Sequence, residues 1–273
     1  MFPSFLDNWA QFPDVSPNDI GPVLSFPEKI ESVVDGIDLL FDSQKRLFAL
    51  SYFGNRSAET ISHALIDLVF PRLLAYDGHL VLHCGLVNSP NGALGFIGES
   101  GTGKSTLTAS LHNQGYPLMG DDAGVLRQVH GTCYAERLSP SLRLFPDSIG
   151  QLFPSAGSTS PVADYTDKQH VPFERGPDVA PLAAVFRLAD PSKSIRVARL
   201  SQAEACIALI ANSFALDPTE KNEASRRLSK AVDVARRVPI FDLYYPRDYA
   251  AIPDVHTKIF ETVELTNMRD NSA

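Results

Sequence analysis

The sequence predicts an α/β fold on a mixed sheet, with a small β-rich subdomain ahead of it. Three observations carry that expectation. An apolar run, "GALGFIG", meets a glycine-rich loop and then a helix-forming stretch, "STLTASLHNQ", giving the order strand, loop, helix. Through the C-terminal two-thirds, apolar runs with strand character alternate with runs of helical period. Before residue 57 the apolar clusters are short and separated by turn residues.

From the N-terminus, "PVLSF", "IESVV", "GIDLLF" and "RLFALSYF" are divided by Pro27, Asp35-Gly36 and Asp42-Ser43, which predicts a small β-meander over 22–52. "SAETISHALIDLVFPRLLAY" has helical apolar spacing and a loose capping box at its start, with an interruption expected at Pro71. Together these predict an N-terminal subdomain over 1–76 and a core over 77–273. "HLVLHCGLV" reads as one strand carrying His83. "GVLRQVHGTCYAERLSPSLRLFPDSIGQLF" reads as hairpin strands followed by a short helix. Residues 155–180 are rich in Ser, Pro, Gly and Asp and predict a mobile functional loop or a linker. "PLAAVFRLAD" and "PIFDLYYP" read as strands. "SQAEACIALIANSFAL" and "DPTEKNEASRRLSKAVDVARRV" read as amphipathic helices with acid-rich starts, and a last helix begins near "IPDVHTKIFETVEL". The basic residues of the second amphipathic helix fit a solvated face and a C-terminal dipole partner.

The chain has 273 residues, 44% of them apolar, and a formal net charge of -8, which disfavours nucleic acid as the main partner. Cys84, Cys133 and Cys206 are few, odd in number and widely spaced, which disfavours a disulfide framework and a zinc site. The start, "MFPSFLDNWAQFPD", lacks the pattern of a secretory signal, and no apolar run approaches bilayer length. These points lead to the expectation of a reduced, cytoplasmic compartment.

Gly98-Glu99-Ser100-Gly101-Thr102-Gly103-Lys104-Ser105 fits G-x-x-x-x-G-K-[ST] in its proper context. The glycines let backbone N–H groups converge on phosphate oxygens, and a helix N-terminus adds partial positive charge. Gly98, Ser100, Gly101, Thr102, Gly103, Lys104, Ser105 and Thr106 are the expected nucleotide-binding residues. Lys104 is expected as a surface-directed cation reaching the β- and γ-phosphates of ATP, and the Ser105 hydroxyl as a ligand of Mg²⁺. The strand "PLM" then runs straight into Asp121 and Asp122. One carboxylate can hold the metal while the other accepts a proton from an attacking hydroxyl. His83 alone reads more often as a satisfied strand histidine, and Arg143 equally as a partner of Asp147.

A strand with "LHCGLV", the phosphate loop, a short helix and "GDD" together resemble the catalytic core of the HPr kinase/phosphorylase family, whose nucleotide fold is that of phosphoenolpyruvate carboxykinase. "SPSLRLFPDS", "KQHVPF", "PLAAVF" and "RVPIFDLYYPRD" are similar, more softly, to its short serine kinases, some of which accompany lasso-peptide biosynthesis. The resemblance covers roughly residues 79–250. It implies an ATP- and Mg²⁺-dependent kinase acting on a serine hydroxyl of a peptide or small protein, the C-terminal serine of a lasso precursor peptide among them. It implies His83 near the γ-phosphate, Asp121 as base, Asp122 as the metal-facing acid, and Arg143 and Lys168 on the substrate side. The two aspartates can exchange roles. The long N-terminal domain and the second, Gly- and Arg-rich signature of true HPr kinases are not found in the sequence, which argues against HPr as acceptor and against a reverse phosphorylase reaction. A small-metabolite kinase and a regulatory nucleotide-binding ATPase without an acceptor are the other readings.

Overall fold

The computed structural model describes residues 57–270 apart from 140 and 156, together with three short strands nearer the N-terminus. The chain divides into two units between Ser57 and Ala58. In the first, β1 (Val23–Leu24), β2 (Ile37–Asp42) and β3 (Leu47–Tyr52) form an antiparallel sheet in that order, with Ile37 opposite Tyr52 and Asp42 opposite Leu47. This is the meander that the turn residues predict; the cluster "IESVV" lies outside the described residues.

The second unit opens with α1 (Ala58–His63), a π-helical stretch (Ala64–Val69) and α2 (Phe70–Tyr76), each running into the next. The expected break at Pro71 does not occur. Pro71 falls where the wider π turn passes into α2, and the helix runs on through it. Nor does a boundary fall at 76/77, because this helix is bonded into the core. The Thr60 hydroxyl accepts the Asp164 N–H at 2.8 Å, and Asp67 pairs with Arg143 at 2.7 Å.

The run "HLVLHCGLV" is two strands rather than one: β4 (Leu80–Leu82) and β5 (Cys84–Ser89), with the break at His83. β4 pairs with β8 (Gly124–Val129), whereas β5 pairs with β6 (Gly92–Ile97) and β7 (Leu118–Gly120). The chain changes partners at His83, so its N–H bonds to the Asn212 carbonyl (2.8 Å) instead of a strand. Between β6 and β7 lie the phosphate loop and α3 (Lys104–Asn113), which ends as expected at Gly115, a residue at φ 93°.

Among the described residues, nine strands form the mixed sheet. Its path is β4-β8-β9-β13-β6-β5-β7, where β9 is Thr132–Arg137 and β13 is Val179–Leu188; β15 (Ile240–Tyr244) adds to β13 and β14 (Arg196–Arg199) to β15. β13 starts antiparallel to β9 and continues parallel to β6 and β15. Its inward residues are close-packed. Phe186 stacks between Phe96 and Phe241, with ring centroids 5.9 and 5.4 Å apart. β14 has no counterpart in the sequence reading, because its arginine-bounded run carries no apolar alternation strong enough to read.

The segment 155–180 is not a bare loop. β11 (Ser160–Ala163) and β12 (Thr166–His170) form a hairpin, and β12 pairs in turn with β10 (Arg143–Leu144). Val162, Ala163 and Val171 are buried beneath it while most of its residues remain polar, so composition hides the strands. After α4 (Pro146–Leu152) and this hairpin, α5 (Gln202–Ala211), α6 (Lys221–Arg237) and α7 (Ile252–Asp270) complete the unit. Among the described residues no helix is long and apolar enough to cross a membrane. All three cysteines are free thiols.

Candidate active site

The loop follows β6, and its turns need glycine. Gly98 (φ 148°) and Gly103 (φ 95°) occupy the left-handed region, and a Cβ on Gly98 would lie 3.2 Å from the Leu188 carbonyl. Gly98 donates its N–H to the Asn212 side-chain oxygen at 2.9 Å. The Thr102 hydroxyl donates to the Glu99 carbonyl at 2.8 Å. Gly103 caps the start of α3, whose first residues include Lys104, Ser105 and Thr106, while Ser100 is exposed on the loop.

Lys104 departs from the surface-directed cation expected of it. Its side chain folds back over the loop, and Nζ donates to the Gly98 and Glu99 carbonyls at 2.7 and 3.0 Å. Only 6% of the residue is exposed. Burial lowers its pKa below the ordinary lysine value, and Asp122 and Asp121 offset part of that effect.

β7 delivers Asp121 and Asp122 to the start of α3. The two adjacent acids have opposite surroundings. Asp121 is buried, and neither carboxylate oxygen has a hydrogen-bond partner of good geometry. Burial, then the charge of Asp122, pushes its pKa up to about 6, while Arg143, Lys168 and the neighbouring Ser105 hydroxyl act the other way. Asp122 sits at φ 72°, a left-handed conformation that aspartate tolerates better than most residues. It forms an ion pair with Arg143 Nη2. Burial alone would raise Asp122; Arg143, followed by His83, Lys168 and Lys104, outweighs that effect and holds it well below the usual carboxylate range.

His83, at the strand break, donates from Nδ1 to the Asp122 backbone carbonyl at 2.9 Å. That bond puts the proton on Nδ1 and leaves Nε2 as the acceptor nitrogen. Burial lowers its pKa, so the ring is neutral near pH 7.

Arg143 does not pair with Asp147, nor does it face outward toward an acceptor. Its guanidinium has no exposed surface and bridges two carboxylates: Asp122 through Nη2 and Asp67 through Nη1 at 2.7 Å. Burial alone would lower its pKa, but the two acids outweigh it and raise it. Asp67 comes from the π-helical stretch and also contacts His63 Nδ1 at 2.8 Å. Lys168, expected in a flexible loop, instead lies on β12, with Nζ 5.4 Å from the Phe145 ring centroid and close enough to both aspartates to lower their pKa.

The fold thus gathers His83, Lys104, Asp121, Asp122, Arg143 and Lys168 around the loop. Two further residues belong to the arrangement. Asn212 ties Gly98 and His83 to the end of α5, and the sequence carries no sign of it. Asp67 is visible as a lone acid within the apolar run "LIDLV", although that run reads as part of a peripheral helix. The oxygen donors fit a divalent cation: orphaned carboxylate oxygens on Asp121, the Ser105 hydroxyl beside them, and the ionised Asp122.

No known protein family matches the chain, and no curated protein does. Among solved structures, the Hpr(Ser) kinase/phosphatase from Coxiella burnetii is similar at 11% identity and a TM-score of 0.39, over 70% of this chain and 95% of that one. At that distance the likeness says nothing of chemistry, which has to be argued from the geometry of this chain.

Proposed function

We propose that the chain is an ATP- and Mg²⁺-dependent kinase that phosphorylates a serine hydroxyl on a peptide or small protein. The observation that carries the reading is Asp121. A buried carboxylate beside the Ser105 hydroxyl, raised to about 6, stands at the first turn of a phosphate-loop helix. A general base works best when its pKa lies near the working pH, and Asp121 meets that condition.

In this reading the loop N–H groups and Lys104 hold the phosphates. Lys104 exchanges its loop carbonyls for phosphate oxygens when nucleotide arrives. Asp121 takes the proton of the serine hydroxyl as its oxygen bonds to the γ-phosphorus, and the bond from that phosphorus to the β,γ-bridging oxygen breaks, releasing ADP. Asp122, kept ionised by Arg143, and Ser105 would hold the magnesium, which would supply positive charge against the triphosphate. In this reading His83, bonded to the Asp122 carbonyl, and Lys168, which lowers the pKa of both acids, orient the transferred phosphoryl group. The sequence resemblance supports a peptide acceptor and, most narrowly, the C-terminal serine of a lasso precursor peptide.

The test is mass spectrometry after incubation with ATP, Mg²⁺ and matched peptides. A serine-terminated peptide gains one phosphoryl group and the same peptide ending in alanine does not. ATP turnover that no peptide or small hydroxyl compound alters would instead mark a regulatory ATPase.

A further inference from the structure

The phosphate loop and the acid pair are both held from one place, the C-terminal end of α5. Asn212 closes that helix: its backbone N–H bonds to the Ala208 carbonyl at 3.2 Å, and its side-chain Nδ2 donates to the same oxygen at 2.8 Å. The other half of the amide points away from the helix. Oδ1 accepts the Gly98 N–H at 2.9 Å, across 114 residues of chain. The Asn212 carbonyl accepts the His83 N–H at 2.8 Å, and His83 Nδ1 donates in turn to the Asp122 carbonyl at 2.9 Å. The residues after Asn212 run along β4, with Ser213 bridging Leu82 and the Phe214 N–H bonding to the Val81 carbonyl at 2.9 Å. The sheet thereby fixes the Asn212 backbone at the point where β4 gives way to β5.

We propose that Asn212 is a positioning residue for phosphoryl transfer, setting the place of the phosphate loop relative to the acid pair. The inference rests on the kinase reading above. Gly98 opens the loop and has no side chain to pack, so its hydrogen bonds decide where it lies. Its N–H goes to Asn212 and its carbonyl accepts from Lys104. Lys104 gives up that carbonyl when it turns to phosphate. The Thr102 hydroxyl goes on holding the Glu99 carbonyl from inside the loop, and the Asn212 bond goes on holding Gly98 from outside it. A misplacement of about 1 Å between reacting groups costs on the order of 10² in rate, so a residue that fixes both sides acts on rate without touching either reactant.

The two halves of the amide can be separated. Asn212→Asp keeps an oxygen for the Gly98 N–H and loses the donor to Ala208. Asn212→Ser cannot reach Gly98, but its hydroxyl can bond back to the Ala208 carbonyl four residues earlier. A role in positioning the loop needs the oxygen; a role in closing the helix needs the donor.

The experiment measures kcat on a serine-terminated peptide at saturating ATP and Mg²⁺, alongside urea unfolding of the same full-length proteins. Saturation confines any repulsion between the added carboxylate and the phosphates to KM. Asn212→Asp is expected within about threefold of the wild type and Asn212→Ser lower by about 10², with both unfolding midpoints near that of the wild type. The reverse order of rates assigns Asn212 to the helix end alone and overturns the proposal, as do equal rates for the two variants. Failure of Asn212→Ser to fold overturns it too, because the role claimed is in rate and not in stability. Calorimetry with inorganic tripolyphosphate and Mg²⁺ needs no acceptor. If the wild type binds it but transfers to no peptide, the kinase reading fails by itself. The loop's anchor is then supported by a loss of about tenfold in Asn212→Ser and overturned by binding within about twofold. A wild type that binds no tripolyphosphate overturns the loop reading and this inference with it.

Discussion

Arg143 reaches Asp122 from a site with no exposed surface, and its other terminal nitrogen holds Asp67 at 2.7 Å. One buried cation therefore ties the acid pair to the helix that opens the second unit. The arrangement fixes where Asp122 lies and which of the two aspartates stays charged.

Truncating that cation leaves Asp122 without its guanidinium and Asp67 with His63 alone. Arg143→Met is expected to cost about 3–5 kcal/mol in urea unfolding. Arg143→Lys restores the charge without the fork that spans both acids, so it should fall between Arg143→Met and wild type. A loss below about 1 kcal/mol for Arg143→Met would show that the pair is not buried in solution.

The twin aspartates should respond to pH with opposite signs. Asp121 has a folded pKa near 6, above its unfolded value of 3.8, so its contribution is full below pH 3.8 and is lost as pH rises through about 6. Asp121→Asn should therefore be more stable than wild type at pH 7.5, by on the order of 2 kcal/mol, with the gap closing toward pH 4. The same variant should lose phosphoryl transfer by about 10²–10⁴. Metal-free unfolding curves at the two pH values check the first half and initial rates the second.

Asp122 is depressed instead, so its contribution is present above pH 3.8 and is lost as pH falls through its lower folded pKa. Asp122→Asn should destabilise at pH 7.5 and raise the Mg²⁺ concentration needed for half-maximal rate. If Asp121→Asn produces the magnesium effect and Asp122→Asn the rate loss, the two residues exchange roles and the site stands.

Lys104→Ala frees the Gly98 carbonyl, while the Glu99 carbonyl, on an exposed loop residue, keeps its bond from the Thr102 hydroxyl. The expected cost in stability is about 1–2 kcal/mol. Transfer should be undetectable. A folded Lys104→Ala protein with normal transfer would remove the loop from the mechanism.

Lys168→Ala should cut transfer to peptide, since the residue lies on β12 beside the acids. Deleting residues 158–168 tests something else. It removes β11 and part of the strand that pairs with Arg143 and Leu144, so it is expected to lower stability as well as transfer. Comparison of the deletion with Lys168→Ala by unfolding midpoint separates the hairpin's structural share from the ammonium's.

The loop, the acids behind it and most strands and helices are legible in the sequence, because each depends on local pattern. Glycines at positive φ, a helix that starts at Lys104 and a strand that ends just before Asp121 are all encoded within a few residues of one another. The features that escape a sequence reading are long-range. Nothing near Arg143 shows that Asp67 will face it, and nothing near Asn212 shows that Gly98 and His83 will bond there. The hairpin at 160–170 escapes for a different reason: its pairing with β10 compensates for a polar composition that alone suggests an unstructured chain. The motif around Lys104 implies a ligand and so a side chain at the surface; without phosphates the same side chain satisfies its own loop.

The π-helical stretch over Ala64–Val69 makes the spacing of this helix sensitive to residue count. A π turn holds one more residue than the α turn it replaces. Removing a single residue between 64 and 66 would let the wide turn close into regular α geometry with the flanking residues nearly in place; adding one would leave no turn to absorb it and swing everything before it about 100° around the axis relative to Asp67. His63 would leave Asp67, and Thr60 would leave the Asp164 N–H. Point substitutions at the exposed or half-exposed positions of these turns should be mild by comparison. The segment tolerates a change of letter, or the loss of one residue, better than a gain, and an insertion scan across 58–76 should show a sharp minimum in recovered soluble protein there.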